Sequence, residues 1–398
     1  MEVGIVGKPN VGKSTFFNAL TLLDAPMAPY PFTTTVPNKG LGAVRAPCPH
    51  VEKQQPCTPG NAKCVDGTRW IPVNLVDVPG LVPGAHAGKG LGHQFLDDLR
   101  AADGFIQVVD LSGGTDAEGQ IVPAGTHDPS AEVAWLEEEL VAWVAEILSR
   151  DFARTARSTE LDGKKVEEFL AQRLTGLSIS APAISAALRT VPVDRQHPAR
   201  WTEPERVALA RELLRVAKPR LVTANKCDRA TPELAAALAS RIAPIPEVPA
   251  SAEAELTLRR AARAGLVAYA PGASDFTLSD PTRLSFGQRR ALDGVREILR
   301  VWGSTGVQSA LERMVFERLH QIVVYPVEDE THWTDGRGRV LPDALLVPAG
   351  TTASEVAFRV HTDLGRNFIR AVDGRTHRAL AADHAVEPNA VIRIVARK

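Results

Sequence analysis

Gly7-Lys8-Pro9-Asn10-Val11-Gly12-Lys13-Ser14 lies between the apolar run Val3 to Val6 and the stretch Thr15-Phe16-Phe17-Asn18-Ala19-Leu20. The order predicts a buried strand, a glycine-rich loop and a helix in immediate succession. Glycines allow the tight turn in which consecutive N–H groups from Gly7 to Thr15 converge on a polyphosphate, and the helix N-terminus adds its partial positive charge. In that arrangement Lys13 reaches the outer phosphate oxygens and Ser14 holds a magnesium ion.

Three downstream stretches are expected to complete such a site. Trp70 to Val76 reads as a strand that delivers Asp77-Val78-Pro79-Gly80; an aspartate at the carboxyl end of a buried strand is where a second magnesium contact belongs, and the Gly80 N–H would sense the terminal phosphate. Ala28 to Asn38 is rich in proline and threonine and reads as a loop, in which Thr34, flanked by Thr33 and Thr35, would close over metal and phosphate. Arg220 to Ala224 and Ile245 to Ala250 read as strands that deliver Asn225-Lys226-Cys227-Asp228 and Ser251-Ala252. A carboxylate at Asp228 accepts hydrogen bonds from the ring N–H and the amine of guanine, an arrangement adenine does not present. Asn225 would brace the loops, the Lys226 stem would cover the base, and the Ala252 N–H would meet the guanine oxygen.

Composition sets the bounds. With 398 residues the chain has room for two or three domains, and 46 basic against 47 acidic residues give no global charge to attract nucleic acid or an anionic membrane. No apolar run reaches the roughly eighteen residues of a membrane span, and no leader precedes the first strand, so a soluble, cytoplasmic protein is expected. Cys48, His50, Cys57 and Cys64 lack the two-residue spacing of strong zinc motifs, which favours an insertion hairpin with incidental cysteines over zinc.

Together, the phosphate loop with Asn10, Tyr30-Pro31-Phe32-Thr33-Thr34, and Asp77 to Val82 with the glycine-rich run through Gly92 resemble the Obg and YchF branch of translation-factor GTPases. The resemblance implies an α/β P-loop G domain with a mainly parallel sheet, an inserted helical domain and a C-terminal β-grasp domain of the TGS type. The expected extents are 1–112 with 217–320, 113–216 and 321–398. GTP and GDP are the implied ligands. Relatives that favour ATP carry glutamate where this chain keeps Asp228, so a GTP-specific member is expected.

Leu81 follows Gly80 where many GTPases have a glutamine, and an apolar side chain cannot orient water. Slow intrinsic turnover follows, with His86, which matches a histidine of the YchF loop, as the catalytic candidate beside Lys13, Thr34 and Gly80. Asn10 matches an asparagine that holds potassium in some relatives. Val133 to Leu148 repeats at helical spacing, and Arg150, Arg154 and Arg157 would continue on one face that could meet RNA, although a solvated charged face is the more ordinary reading. The C-terminal segment has ten basic and ten acidic residues, leaving only Arg366, Arg370, Arg375 and Arg378 as a local RNA cluster. Two functions stay open: a nucleotide-gated factor on ribosomes or RNA, and a regulator of a protein partner in stress or redox control.

Overall fold

The computed structural model describes residues 1–21, 39–78 and 100–397. β1 (Glu2–Val6) is flanked by two parallel neighbours, β4 (Thr68–Asp77) and β5 (Gly104–Asp110). β6 (Arg220–Asn225) pairs parallel with β5, and β7 (Glu247–Pro249) with β6. β2 (Lys39–Pro47) closes the other edge antiparallel to β4, which also pairs with the short β3 (Lys63–Val65). The order β2-β4-β1-β5-β6-β7 has one consequence for function. The carboxyl ends of all five parallel strands point the same way, so the loops after them gather at one rim of the sheet.

β1 ends where the loop turns into α1 (Lys13–Thr21). Gly7 has φ +148°, and a Cβ there would stand 2.4 Å from the Val108 carbonyl oxygen; at Gly12, φ +97°, it would stand 2.3 Å from Asn225 Nδ2. Only glycine lets the loop pass this close to β5 and to the Asn225 amide.

On one face of the sheet lies a helical layer. Its first helix, Pro129–Ser149, starts at an Asp128 cap and buries Leu136, Leu140, Val144 and Leu148. The same apolar cluster takes in Val76, Val78 and Phe105 of the G-domain side and Leu209 and Leu213 of the helix Glu203–Ala217. The helix breaks at Arg150, whose ψ of 117° leaves the helical region, and at Asp151, which is left-handed; a separate helix runs from Phe152 to Leu161. Arg150 therefore does not share a helical face with Arg154 and Arg157, contrary to the expectation from spacing. Its guanidinium pairs with Glu146, and Arg154 pairs with Asp151.

Two helices, Phe286–Trp302 and Val307–Glu312, lead out of the sheet, separated as expected by the Gly303 to Gly306 turn. β8 (Val267–Ala268) and β9 (Thr277–Leu278) form a small antiparallel pair, and the C-terminal sheet has the order β11-β10-β14-β12-β13, from β10 (Gln321–Val327), β11 (Leu345–Pro348), β12 (Phe368–Asp373), β13 (Ala379–Leu380) and β14 (Ala390–Ala396). The alternation along β10 assigns its two faces. Val324 lies under the helix Ala353–Val360 with Val356 and Ile392. Val323, Tyr325 and Val327 join a core shared with Ile71 and Val73 of β4. The C-terminal β-grasp domain is thus packed on the first sheet, not tethered beside it. Among the described residues no helix is long and apolar enough to cross a membrane.

Candidate nucleotide site

Lys13 opens α1 and its ammonium folds back to donate to the Lys8 carbonyl oxygen at 2.7 Å. Burial pushes its pKa down to about 8, against the opposing pull of Asp77. Ser14 donates its hydroxyl to Asp77 Oδ2 at 3.1 Å. Asp77 ends β4, its other oxygen Oδ1 is buried without a hydrogen-bond partner among the described residues, and burial raises its pKa. A buried carboxylate oxygen with no donor, beside a hydroxyl, is an incomplete oxygen set of the sort that a hard divalent cation completes. The two residues expected to hold magnesium are therefore brought together.

Asn225, at the end of β6, ties two loops. Its Nδ2 donates to the Val11 carbonyl oxygen at 2.8 Å, and its Oδ1 accepts from the Ala252 N–H at 3.0 Å. The bracing role is as expected, but the Ala252 N–H is thereby occupied and not directed at a base. Asp228 Oδ1 accepts from the Ser251 hydroxyl at 2.7 Å, and that hydroxyl in turn caps the helix Ala252–Arg263 through the Ala254 N–H. The Asp228 carboxylate is thus oriented from the helix end.

Two lysines anchor the loops around this site. Lys226, left-handed at φ +61°, extends its ammonium to Asp110 Oδ2 at 2.8 Å, so its tip is anchored below the loop. Lys8 turns its side chain away from the phosphate cradle: the ammonium binds the Thr115 and Asp116 carbonyl oxygens at 2.7 and 2.5 Å and Glu132 at 2.6 Å. Burial raises Glu132 to about 8, opposed by the Lys8 charge. Asn10 donates its amide to the Gly119 carbonyl oxygen at 2.8 Å.

These contacts reveal a loop that the sequence reading left out. Residues 112–127 lie along the flank of the phosphate loop, held by Lys8 and Asn10, with Gly119 (φ +84°) so near Pro9 that a Cβ would approach it to 2.9 Å. Asp110 organises its start. It accepts from the Ser112 and Thr115 hydroxyls and from Lys226; burial alone would raise its pKa, but these bonds hold it below the usual carboxylate range. The available signal was position: Asp110 ends β5 as Asp77 ends β4 and Asn225 ends β6. Thr33, Thr34, Thr35, Gly80, Leu81 and His86 lie outside the described residues.

Comparison with known proteins agrees with this geometry. Residues 2–143 match the model of a 50S ribosome-binding GTPase, residues 223–329 that of the Obg-like GTPase YGR210-like, G4 motif-containing domain, and residues 338–396 that of the TGS domain. Over 394 residues the chain is 43% identical to a GTP-binding protein of Methanocaldococcus jannaschii, covering 99% of this chain and 98% of that one. The chain belongs to the Obg/YchF family of GTP-binding proteins. It is a GTPase, and the crystal structure of a GTP binding protein from Pyrococcus horikoshii superposes on the whole of it with a TM-score of 0.81 at 36% identity, covering 100% of both chains. The ribosome-binding ATPase YchF of Haemophilus ducreyi is 36% identical over 168 residues, covering 41% of this chain and 43% of that one.

Proposed function

We propose that the rim of the first sheet binds GTP with magnesium and that hydrolysis switches the protein on and off a ribosome or another structured RNA. The observation that carries the nucleotide reading is the Asn225 amide, bonded at once to the phosphate loop and to the loop after β7. It couples the phosphate end of the site to the base end. Asp228 reads the guanine edge with Ser251 holding its carboxylate, and the backbone N–H groups from Gly7 to Thr15 cradle the phosphates, apart from Pro9, which has none to give. Lys13 leaves the Lys8 carbonyl for the β- and γ-phosphate oxygens. Ser14 and Asp77 hold magnesium, with Thr34 as a further ligand in the triphosphate state. Magnesium, when bound, supplies positive charge against the β- and γ-phosphate oxygens.

For hydrolysis we assign His86 to the attacking water and Gly80 to the γ-phosphate. With Leu81 in place of a water-orienting glutamine, intrinsic turnover is slow. Potassium at the carbonyl end of the Asn10 amide would offset charge on the phosphates. One steady-state assay tests both assignments. His86→Ala should lower kcat on the order of 10²-fold, the usual scale of a general acid or base, with GTP affinity kept, and sodium in place of potassium should slow the wild type. Equal turnover in the two salts would remove the cation role; an unchanged kcat would remove His86.

RNA association rests on the C-terminal TGS domain and on the helical layer, both continuous with the nucleotide domain through shared cores. Arg375 is not available for it, because its guanidinium is held by Glu52 at 2.7 and 2.8 Å; Arg366, Arg370 and Arg378 remain. Cosedimentation with ribosomal subunits should be stronger with a non-hydrolysable GTP analogue than with GDP and should weaken steeply with salt, as phosphate contacts do. Binding indifferent to nucleotide and salt would favour a protein partner instead.

A further inference from the structure

The segment between β2 and β3 brings together residues that lie far apart in spacing. Cys48 directly follows β2, His50 opens a short helix (His50–Lys53), Cys57 lies in the loop after it and Cys64 is in β3. One donor atom from each lies within 4.8 Å of every other, with Cys48 Sγ 3.9 Å from Cys57 Sγ and Cys64 Sγ 3.6 Å from His50 Nδ1. The expectation of incidental cysteines, drawn from spacing, does not describe this convergence.

We propose that Cys48, His50, Cys57 and Cys64 form a tetrahedral zinc site that fixes the segment on which the C-terminal domain docks. Zinc–sulfur bonds of about 2.3 Å and zinc–nitrogen bonds of about 2.0–2.1 Å give tetrahedral edges of roughly 3.8 Å between sulfurs and roughly 3.6 Å between sulfur and nitrogen. The Cys48–Cys57 separation of 3.9 Å and the Cys64–His50 separation of 3.6 Å agree with these lengths. Three thiols and one imidazole are also the soft donors zinc prefers over magnesium or calcium.

A second observation is independent of the cysteine geometry. The Arg69 side chain is fully buried, with Nη2 3.4 Å from Cys48 Sγ and 2.8 Å from the Leu341 carbonyl oxygen. Its Nε and Nη1 have no partner among the described residues, and its hydrogen bonds reach no carboxylate. Asp343 acts on this guanidinium only through space, and a buried guanidinium with no hydrogen-bonded anion is costly. Binding zinc releases three thiol protons to solvent, and a dication with three thiolates carries one net negative charge. That charge, together with Asp343, offsets Arg69.

The consequence lies in the docking contacts. Interleaved with the four residues and just before them, the Tyr325 hydroxyl donates to Pro47, the Thr58 and Gly60 N–H groups donate to Val340 and Pro342, Asn61 bonds both ways with Ala344, and Glu52 holds Arg375. Apart from Cys48, the cluster residues are only half-buried, and the segment contains just two short regular elements, so within the segment the metal would be the main constraint that presents these docking groups together.

Metal analysis of the full chain, expressed with zinc supplied and then gel-filtered, should find one zinc per chain, released when a mercurial titrates the thiols. Exchange with cobalt should give the intense visible absorption of a tetrahedral thiolate complex. Cys64→Ser should weaken zinc binding at least tenfold. Because that variant could fail to fold, hydrogen exchange of the wild type before and after chelation is the second measurement, with faster exchange expected across 339–344 and β10 in the zinc-free protein. A folded wild-type chain that carries no metal, gives no cobalt spectrum and titrates all its thiols freely would overturn the site, as would iron or copper in place of zinc. Unchanged exchange after zinc loss would overturn the docking role.

Discussion

Asp228→Asn will move nucleotide preference from guanine toward xanthine. The Asp228 carboxylate has one oxygen bonded to Ser251 and its other oxygen 3.7 Å from the exposed Arg229 guanidinium, so both oxygens keep lone pairs for a base. Guanine offers two N–H donors at that edge. An asparagine keeps the acceptor but turns one end of the pair into a donor, which meets the guanine amine donor to donor and the xanthine oxygen donor to acceptor. Losing one charge-assisted bond costs about 1.5–3 kcal/mol, and the unpaired amine adds a similar penalty. The discrimination should therefore shift on the order of 10²-fold or more. The fold should not respond, because asparagine still accepts from Ser251 and the Arg229 pair is exposed. Competition of GTP and XTP for a labelled nucleotide, with a melting curve alongside, measures both. Unchanged GTP preference in a folded variant would mean that another group reads the base.

That prediction was already legible in the sequence, because the residues involved lie in two short motifs at strand ends. Local chemistry also carried the strand, loop and helix of the first twenty residues, and the family resemblance carried the C-terminal sheet. The misses come from contacts that spacing does not record. Lys8 and Glu132 are far apart in the chain, and nothing near Lys8 says that its ammonium will reach a buried carboxylate. The helix break at Arg150 and Asp151 was hidden because Leu148 and Phe152 bury into the same core, so helical spacing runs on through a left-handed aspartate, a residue type that tolerates that conformation. The cysteine cluster depends on β3 folding back on β4, which sets Cys64 opposite Arg69.

Lys13→Ala should remove tight GTP binding and yet leave the nucleotide-free protein at least as stable. Lys13 is 8% exposed, and its ammonium donates only to the Lys8 carbonyl among the described residues. Burial takes its pKa from 10.5 to about 8. The sign follows from proton counts: between about pH 8 and 10.5 the unfolded chain binds the proton and the folded chain does not, so stability rises with pH through that window. Below it the folded protein bears a charge whose burial costs about 3 kcal/mol, from a shift of about 1.4 kcal/mol per unit. Alanine removes that cost and leaves a small polar vacancy at the loop. Triphosphate reverses the balance, because bonds to charged oxygens are each worth about 1.5–3 kcal/mol, so losing two should weaken GTP on the order of 10²- to 10³-fold. The same reasoning fixes a proton linkage in the wild type. Phosphate oxygens raise the Lys13 pKa, so binding takes up a proton when the pH is near or above 8, and affinity falls as pH rises from there. Calorimetry at pH 8 in two buffers of different ionisation enthalpy should give different apparent heats. Equal heats, or an alanine variant that binds GTP as before, would show that Lys13 never leaves the Lys8 carbonyl for the phosphates.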